Sequence, residues 1–482
     1  MAEEKDSSRD RIITTSKIGT VTQILGVPSI FTSTWKTLTR PITLLKAMIG
    51  WGLFSVGVSL VTVWESFYLE EYMQTQANLA TDAFGIVIAV GGLTYIVAAI
   101  LAGIFSDSIR TPLGQRIPFI ILAAICAGIV LFGAFPILTY FQLGLIGFCV
   151  VVGIVHFFLG VGASPWNAIL SDLFTKKNRS WAALINSVCS AAGFGIGLVG
   201  FELISSFSPN VPWIVCGIGL ILAGFLSAII LALSGAAVNP EFRGIPLWTN
   251  IKSFFHTIRN FGGIEFGKMF WVITVWGFCN YTLDYYLFLY LTELTADFTQ
   301  EIDILLYALI GLAFAALLGA APSGWLAAKI GKARTGIIAA LLNAAFFVTL
   351  GLLAFLTSYP YFALIMGIFG GLGMTFLTTI IVALPADLVP EGKEAMFFGI
   401  VRVAEALPLP FAVIFAGFVV RIVNDFILTN MQSYVGYSIV FILESLVWIF
   451  SIVLLRKLRY EDQSDEEYDE YSKRWLKGRE DR

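Results

Sequence analysis

The sequence predicts an all-α, polytopic membrane protein with twelve transmembrane helices in two pseudo-symmetric six-helix bundles, and three observations carry that prediction. Hydrophobic residues fill 57% of the 482 positions and charged residues only 13%, at a mean hydropathy of +0.84. No soluble domain covers that much apolar surface. Nearly uncharged runs of about 20 residues recur between short polar loops, each long enough at ~1.5 Å per residue to cross roughly 30 Å of hydrocarbon. Motif fragments of the first half return in the second at offsets of 215 to 222 residues.

Taken in order, residues 1–46 are mixed in charge and lack a short apolar core followed by a small-residue cleavage site, so they read as a retained N-terminal segment and not as a removed signal peptide. Spans follow near 47–67, 83–104, 118–138, 142–166, 181–205 and 211–234, together an N-terminal bundle over 47–234. Residues 235–268 form the loop between the bundles, where Asn239, Pro240, Gly244 and Pro246 break structure before an amphipathic stretch from Leu247 to Phe261 suited to a membrane interface. Spans near 269–291, 304–327, 335–356, 360–384, 396–421 and 434–455 make the C-terminal bundle over 269–455, and 456–482 is a charged tail.

Orientation follows from the basic residues. Of the 30 Lys and Arg, 28 lie in the N-terminal segment, alternate loops and the tail, while Arg402 and Arg421 lie within a span and the remaining loops have none. Positive loops stay inside, so both termini and the 235–268 loop are expected in the cytoplasm of a cell-membrane protein. The opposite face is acidic, with Glu70, Glu71 and Asp82 after the first span and Glu293, Asp297, Glu301 and Asp303 after the seventh. The basic residues form no stripe, which argues against a nucleic-acid partner. Cys126, Cys149, Cys189, Cys216 and Cys279 all sit in apolar runs without CxxC spacing, so neither a metal nor a disulfide frame is expected. With no Walker loop, no HExxH and only two histidines, the chain reads as no enzyme and as needing no cofactor.

The stretch that organises the chain is GIFSDSIRTPLGQRIPFI, from Gly103 to Ile120, a polar hinge between two spans. It carries Asp107, Arg110 and Arg116, with Gly103 where two helices can approach and Gly114 where the backbone must turn. A degraded copy, GWLAAKIGKAR, runs from Gly324 to Arg334, with Ala328 in place of the aspartate. FYLEEY from Phe67 pairs likewise with LYLTEL from Leu289, and ILSDLF from Ile169 with LPADLV from Leu384. Two parallel halves of this kind fit a transporter whose substrate site lies near the midplane between them, opened to either side by rocking one half on the other.

Gly103, Asp107, Gly114 and Arg116 resemble the signature loop of the major facilitator superfamily, and the resemblance extends over all twelve spans. The six residues between Asp107 and Gly114, together with Ser106, Pro118-Phe119 and SPWNAILSDL from Ser164 to Leu173, resemble the glycoside-pentoside-hexuronide cation symporters and the related sucrose transporters. The superfamily resemblance implies that Asp107 meets the start of the eleventh helix near Ala395 and Met396 and opposes its positive dipole, as a conformational latch. With Ala328 in the second copy, an equivalent latch there is expected to be missing or weaker. The acids that hold the cation in the symporter group have no counterpart here, since His156 stands in the fourth span and no acid precedes Asp107 in the second. A proton therefore suits the coupling role better than Na+.

Ionisable groups within apolar runs are the remaining candidates, because a charge at the bilayer centre costs on the order of 2.5–3.5 kcal/mol on insertion scales. Glu65, His156, Asp284, Arg402 and Glu405 qualify. Asn280 and Asp284 share one face of the seventh span and Tyr281 and Tyr285 a neighbouring one, a mixture of hydrogen-bonding groups and aromatic faces that suits a sugar. Each has a structural alternative: Arg402 and Glu405 neutralise one another, Glu65 joins a solvated outer rim, and His156 bonds a backbone carbonyl. Glu444 and Glu202 are read as structural, and Gly193, Gly197, Gly200, Gly367 and Gly371 as close helix packing. The favoured function is a proton-coupled symporter of a sugar or glycoside, acting as a monomer, with Asp284 as the coupling or substrate-contacting carboxylate. The alternatives are a facilitator or exporter of an amphiphilic, drug-like or lipid-like solute, and a non-transporting membrane sensor.

Overall fold

The computed structural model describes residues 41–458 apart from 76, 80, 110, 142–143, 206–207, 209, 235–244, 260–264, 297–303, 357–360, 391 and 425–433. The expectations for residues 1–40, Arg110, the first part of the inter-bundle loop, Asp297, Glu301, Asp303 and the tail beyond 458 lie outside the described residues, as do those for the side chains of Glu70, Glu71, Asp82, Glu202 and Glu293. Among the described residues the fold is helical, with one isolated β-bridge between Thr111 and Gly114.

Helix α1 (Pro41–Val63) continues through a π-helical segment (Trp64–Leu69) into the short α2 (Glu70–Thr75). The first half is completed by α3 (Thr81–Ser106), α4 (Ile117–Phe141), α5 (Gly144–Leu173), α6 (Lys176–Ser205) and α7 (Val211–Leu233). A connecting helix, α8 (Leu247–Arg259), leads to α9 (Glu265–Ala296), α10 (Ile304–Ile330), α11 (Lys332–Leu353) and α12 (Tyr361–Leu388). The eleventh span is broken into α13 (Glu394–Ala406) and α14 (Leu409–Ile422) at Leu407 and Pro408, where proline removes a backbone donor, and α15 (Tyr434–Leu455) closes the second half. Ten stretches of the described residues are long and apolar enough to cross a membrane. Helices α6 and α9, of 30 and 32 residues, stand at the fifth and seventh positions and complete the twelve.

The repeat reappears in the packing. Within the halves, α3 lies along α5 as α10 lies along α12, and across them α3 meets α13 as α10 meets α6. Glycine permits the intimate pairs, since a Cβ on Gly371 would sit 2.2 Å from the Leu312 carbonyl oxygen. Large aromatic residues fill each half: Trp51 and Trp166 stack at 5.5 Å and each donates its indole N–H to the other's carbonyl, at 2.7 and 2.8 Å. Trp276 and Trp448 stack at 6.2 Å in the second half. The two halves thus touch along repeat-related edges, which converge on the polar hinge at one end and enclose the ionisable groups nearer the middle.

Candidate functional site

At the hinge end the turn is set by Gly114, at φ +90°, whose carbonyl accepts the Thr111 hydroxyl at 2.5 Å. The turn brings Arg116 back against the end of α3. Its Nη1 donates to Asp107 at 2.6 Å and to the Ser106 hydroxyl at 2.9 Å, its Nε to Asp172 on α5 at 2.8 Å, and its Nη2 to Glu394 of the other half at 3.4 Å. Asp107, fully buried, accepts the Ala395 and Met396 N–H groups at 3.2 and 2.8 Å. Those donors belong to the first turn of α13, where the N–H groups lack helical partners and the helix dipole favours an anion. Gly103 makes the approach feasible, because a Cβ there would fall 2.4 Å from the Ala395 carbonyl oxygen. Burial works against the Arg116 guanidinium, yet Asp172 and Asp107 hold it above its ordinary range, so it stays charged. Burial pushes the Asp107 carboxyl up, opposed in part by Arg116 and the Met396 N–H.

The second copy closes by a different route, which the sequence analysis missed. Lys332, just beyond the Gly331 turn at φ +96°, pairs with Asp387 of its own half. Arg179, at the start of α6, crosses from the first half and donates to Asp387 at 3.0 Å and to the Ala386 carbonyl at 2.7 Å. Its remaining N–H groups reach the carbonyls of Phe174 and Ser171 at 3.0 Å each. Deeper along the same edge, Ser187, Thr379 and Ser323 join hydroxyls at 3.0 and 2.9 Å. The repeat holds a signal for these residues: Arg179 and Glu394 are 215 apart, as are Asp172 and Asp387, and Lys332 is 216 from Arg116.

Nearer the middle, the candidate ionisable residues gather between the halves. Glu65 and His156 form a pair at 3.3 Å, and the His156 Nδ1 also lies 3.1 Å from the Val152 carbonyl. Glu65 is therefore not part of an outer rim: it sits in the π-helical segment, whose widened turn carries it toward α5. Arg402 and Glu405 are in direct contact on α13. Tyr95 of α3 stacks edge-on with His156 at 6.5 Å and lies within electrostatic reach of Arg402 and Glu405, as does Tyr281 of α9. Tyr95 thus links the two charge pairs, and nothing in the sequence marks it among sixteen tyrosines.

Asp284 stands apart from these pairs. It is exposed within α9, makes no hydrogen bond or ion pair among the described residues, and lies within electrostatic reach of Glu65. His156 is spoken for by Glu65 and is not its partner. Beside Asp284, the Asn280 side-chain oxygen and the Tyr285 hydroxyl are buried without hydrogen-bond partners, and the Tyr285 ring meets Phe84 of the other half at 5.6 Å. Glu444 is fully buried beside Cys279 and Thr282 and does not join the central group. Among the described residues no group of three His, Cys, Asp or Glu side chains could hold a metal ion.

Comparison with known proteins agrees with this architecture. No curated protein matches the chain by sequence. Among solved structures, the proton:xylose symporter XylE bound to 6-bromo-6-deoxy-D-glucose superposes with a TM-score of 0.65 at 15% identity, over 89% of this chain and 98% of that one. A bacterial homologue of the iron transporter ferroportin, in an outward-facing state with soaked iron, reaches 0.61 at 12% identity, over 86% and 99%. The human organic anion transporter MFSD10 (TETRAN) reaches 0.60 at 15% identity, over 86% and 100%. At such identities the likeness is one of fold. The family model for the Major Facilitator Superfamily matches residues 42–412, with a second match over 305–477. With its family model spanning most of the chain and its fold shared with transporters of three different solutes, this multi-pass membrane protein belongs to the major facilitator superfamily.

Proposed function

We propose that the chain is a proton-coupled symporter of a sugar or glycoside that works by alternating access. One observation carries the reading: Asp284 stands unpaired and accessible between the halves, next to Asn280, Tyr281 and Tyr285 and within reach of Glu65, while Arg402 and Glu405 contact one another and Glu65 lies beside His156. A carboxylate without a counter-ion between the halves can carry a proton from one side to the other as the cleft alternates. The orphaned Asn280 oxygen and Tyr285 hydroxyl want hydrogen-bonding partners that a sugar's hydroxyls supply, and Phe84 and Tyr285 offer aromatic faces to its C–H surface. The XylE likeness supports the sugar class, but the ferroportin homologue and the organic anion transporter share the fold nearly as well. The site therefore bears the weight.

In this reading the end that carries Asp107 and Arg179 faces the cytoplasm, and the conformation is the one closed on that side. Uptake into proteoliposomes of a panel of mono- and disaccharides, with and without an inward proton gradient, tests it. Asp284→Asn should abolish gradient-driven accumulation and leave solute exchange, because the amide mimics the protonated acid. Accumulation by Asp284→Asn with the parent's pH dependence would move the coupling role to Glu65 or to the Arg402 and Glu405 pair. Uptake of amphiphiles but no sugar would favour the facilitator reading.

A further inference from the structure

Helix α8 is built to hold the hinge end shut. Its buried face, Asn250, Phe254 and Thr257, packs on the end of α3, where the Asn250 amide donates to the Ile104 carbonyl at 3.0 Å and to the Ser108 hydroxyl at 3.4 Å. Just before the helix, the Ile245 N–H donates to the Asp107 carbonyl at 3.4 Å. On the other side, Lys393, the residue just before α13, donates to the Ser253 hydroxyl at 2.6 Å. One thirteen-residue helix therefore grips both partners of the Asp107 latch: the segment that carries the aspartate and the helix start that it caps.

The opposite face of α8 is exposed and mixes bulky apolar side chains with cations. Trp248 is 66% exposed, Phe255 67% and Ile258 50%, and Leu101 and Phe105 of α3 are exposed as well. Exposed Lys252, His256 and Arg259 stand among these groups at helical spacing, Lys252 lying 5.8 Å from the Trp248 ring, and the helix has no acidic residue. Bulky exposed apolar groups interleaved with cations, on a helix that packs against the end of a spanning helix, match the boundary of a bilayer that carries negative headgroups.

We infer that α8 is a lipid-sensing clasp: anionic phospholipid headgroups bind Lys252 and Arg259, seat Trp248, Phe255 and Ile258 in the interface, and thereby stabilise the Asp107 latch. A dissolved anion has no use for the apolar side chains, which commits the ligand to a membrane lipid. The inference is independent of solute and coupling ion, so failure of the sugar reading leaves it standing.

Amide hydrogen exchange of the full chain in nanodiscs tests it, comparing phosphatidylcholine alone with mixtures containing phosphatidylglycerol. The anionic lipid should slow exchange several-fold both in residues 245–259 and in residues 393–397, whose amides include those held by Asp107. Salt should weaken the effect. The double variant Lys252→Gln, Arg259→Gln should lose the response in both segments, with protection of the spans unchanged as evidence that it folds. Exchange at 393–397 that ignores lipid charge would overturn the inference, whether or not α8 itself responds. So would a double variant that responds like the parent, or inorganic phosphate reproducing the effect in neutral nanodiscs.

Discussion

The two edges where the halves meet at the hinge end occupy repeat-related positions yet cross with opposite charge. At the first, an anion crosses onto a helix N-terminus: Asp107 takes the N–H groups of Ala395 and Met396, and Glu394 reaches back to Arg116. At the second, a cation crosses onto helix C-terminal ends: Arg179 donates to Ala386 and Asp387 near the end of α12 and to Ser171 near the end of α5. Both arrangements complement the helix dipole, one at its positive and one at its negative pole. The repeat preserves the closure while the sign of the crossing residue inverts, from Arg179 in one half to Glu394 in the other. An aspartate missing at position 328 therefore does not leave the second edge open.

This comparison ranks the edges, and the largest effect should come from Arg116. It is 4% exposed and touches three carboxylates, Asp107, Asp172 and Glu394, so Arg116→Ala would leave buried negative charge without its cation. Breaking buried pairs this way costs about 3–5 kcal/mol. Thermal unfolding of the purified protein should show a marked loss, and a melting point within a degree or two of the parent's would refute the role of Arg116 as the shared counter-ion.

Arg179→Ala should cost less, about 1–3 kcal/mol, the range for leaving hydrogen-bond acceptors unpaired. Asp387 keeps Lys332 as a partner, and the freed carbonyls of Ser171, Phe174 and Ala386 lie near helix ends that water can reach. Spin-label distances between the hinge ends of α6 and α12 should lengthen or broaden. Were Arg179→Ala to destabilise as much as Arg116→Ala, the ranking of the edges would be wrong.

The sequence reveals the two edges unequally, for physical reasons. The twelve spans are legible because burying backbone in hydrocarbon demands long apolar runs, and the Gly114 turn because few residues tolerate its φ. The meeting of Asp107 with Ala395 and Met396 is legible only through the superfamily resemblance. Arg179 is hidden because a lone basic residue at the start of a helix looks like any positive loop charge, and its target lies 208 residues away. The pairing of Glu65 with His156 is hidden for another reason: it depends on a π-helical segment that helical periodicity does not anticipate. Asp284 is legible as a charge in an apolar run, but its lack of a partner emerges only once every neighbour is placed.

Asp107→Asn should have a smaller effect than either arginine replacement. The amide still fills the space under α13, and Arg116 keeps Asp172 and Glu394, but the dipole loses its opposing charge, worth up to about 1 kcal/mol. That is roughly a fivefold shift in the ratio of closed to open states. Solvent accessibility of single cysteines introduced at the hinge end should rise accordingly, while folding and membrane insertion persist. An accessibility pattern identical to the parent's would show that the hydrogen bonds suffice without the charge.

Ala328→Asp should do least of all, although it restores the motif. Position 328 corresponds to Asp107 by sequence offset, but the connection that follows is four residues shorter, with Gly331 turning where Gly114 lies at the same stage of the first copy. α10 accordingly runs on to Ile330, which leaves Ala327 buried and Ala328 exposed. Position 328 lies one turn beyond Gly324, which packs against Ser180 and Leu184 of α6, but it is exposed, so a carboxylate there meets solvent. Its effect on stability should stay within about half a kcal/mol, as for an ordinary surface change. Hinge-end accessibility should match the parent's. A pronounced shift toward the closed state would mean that the second edge had been waiting for its aspartate, and that Arg179 is a supplement to the latch and not its replacement.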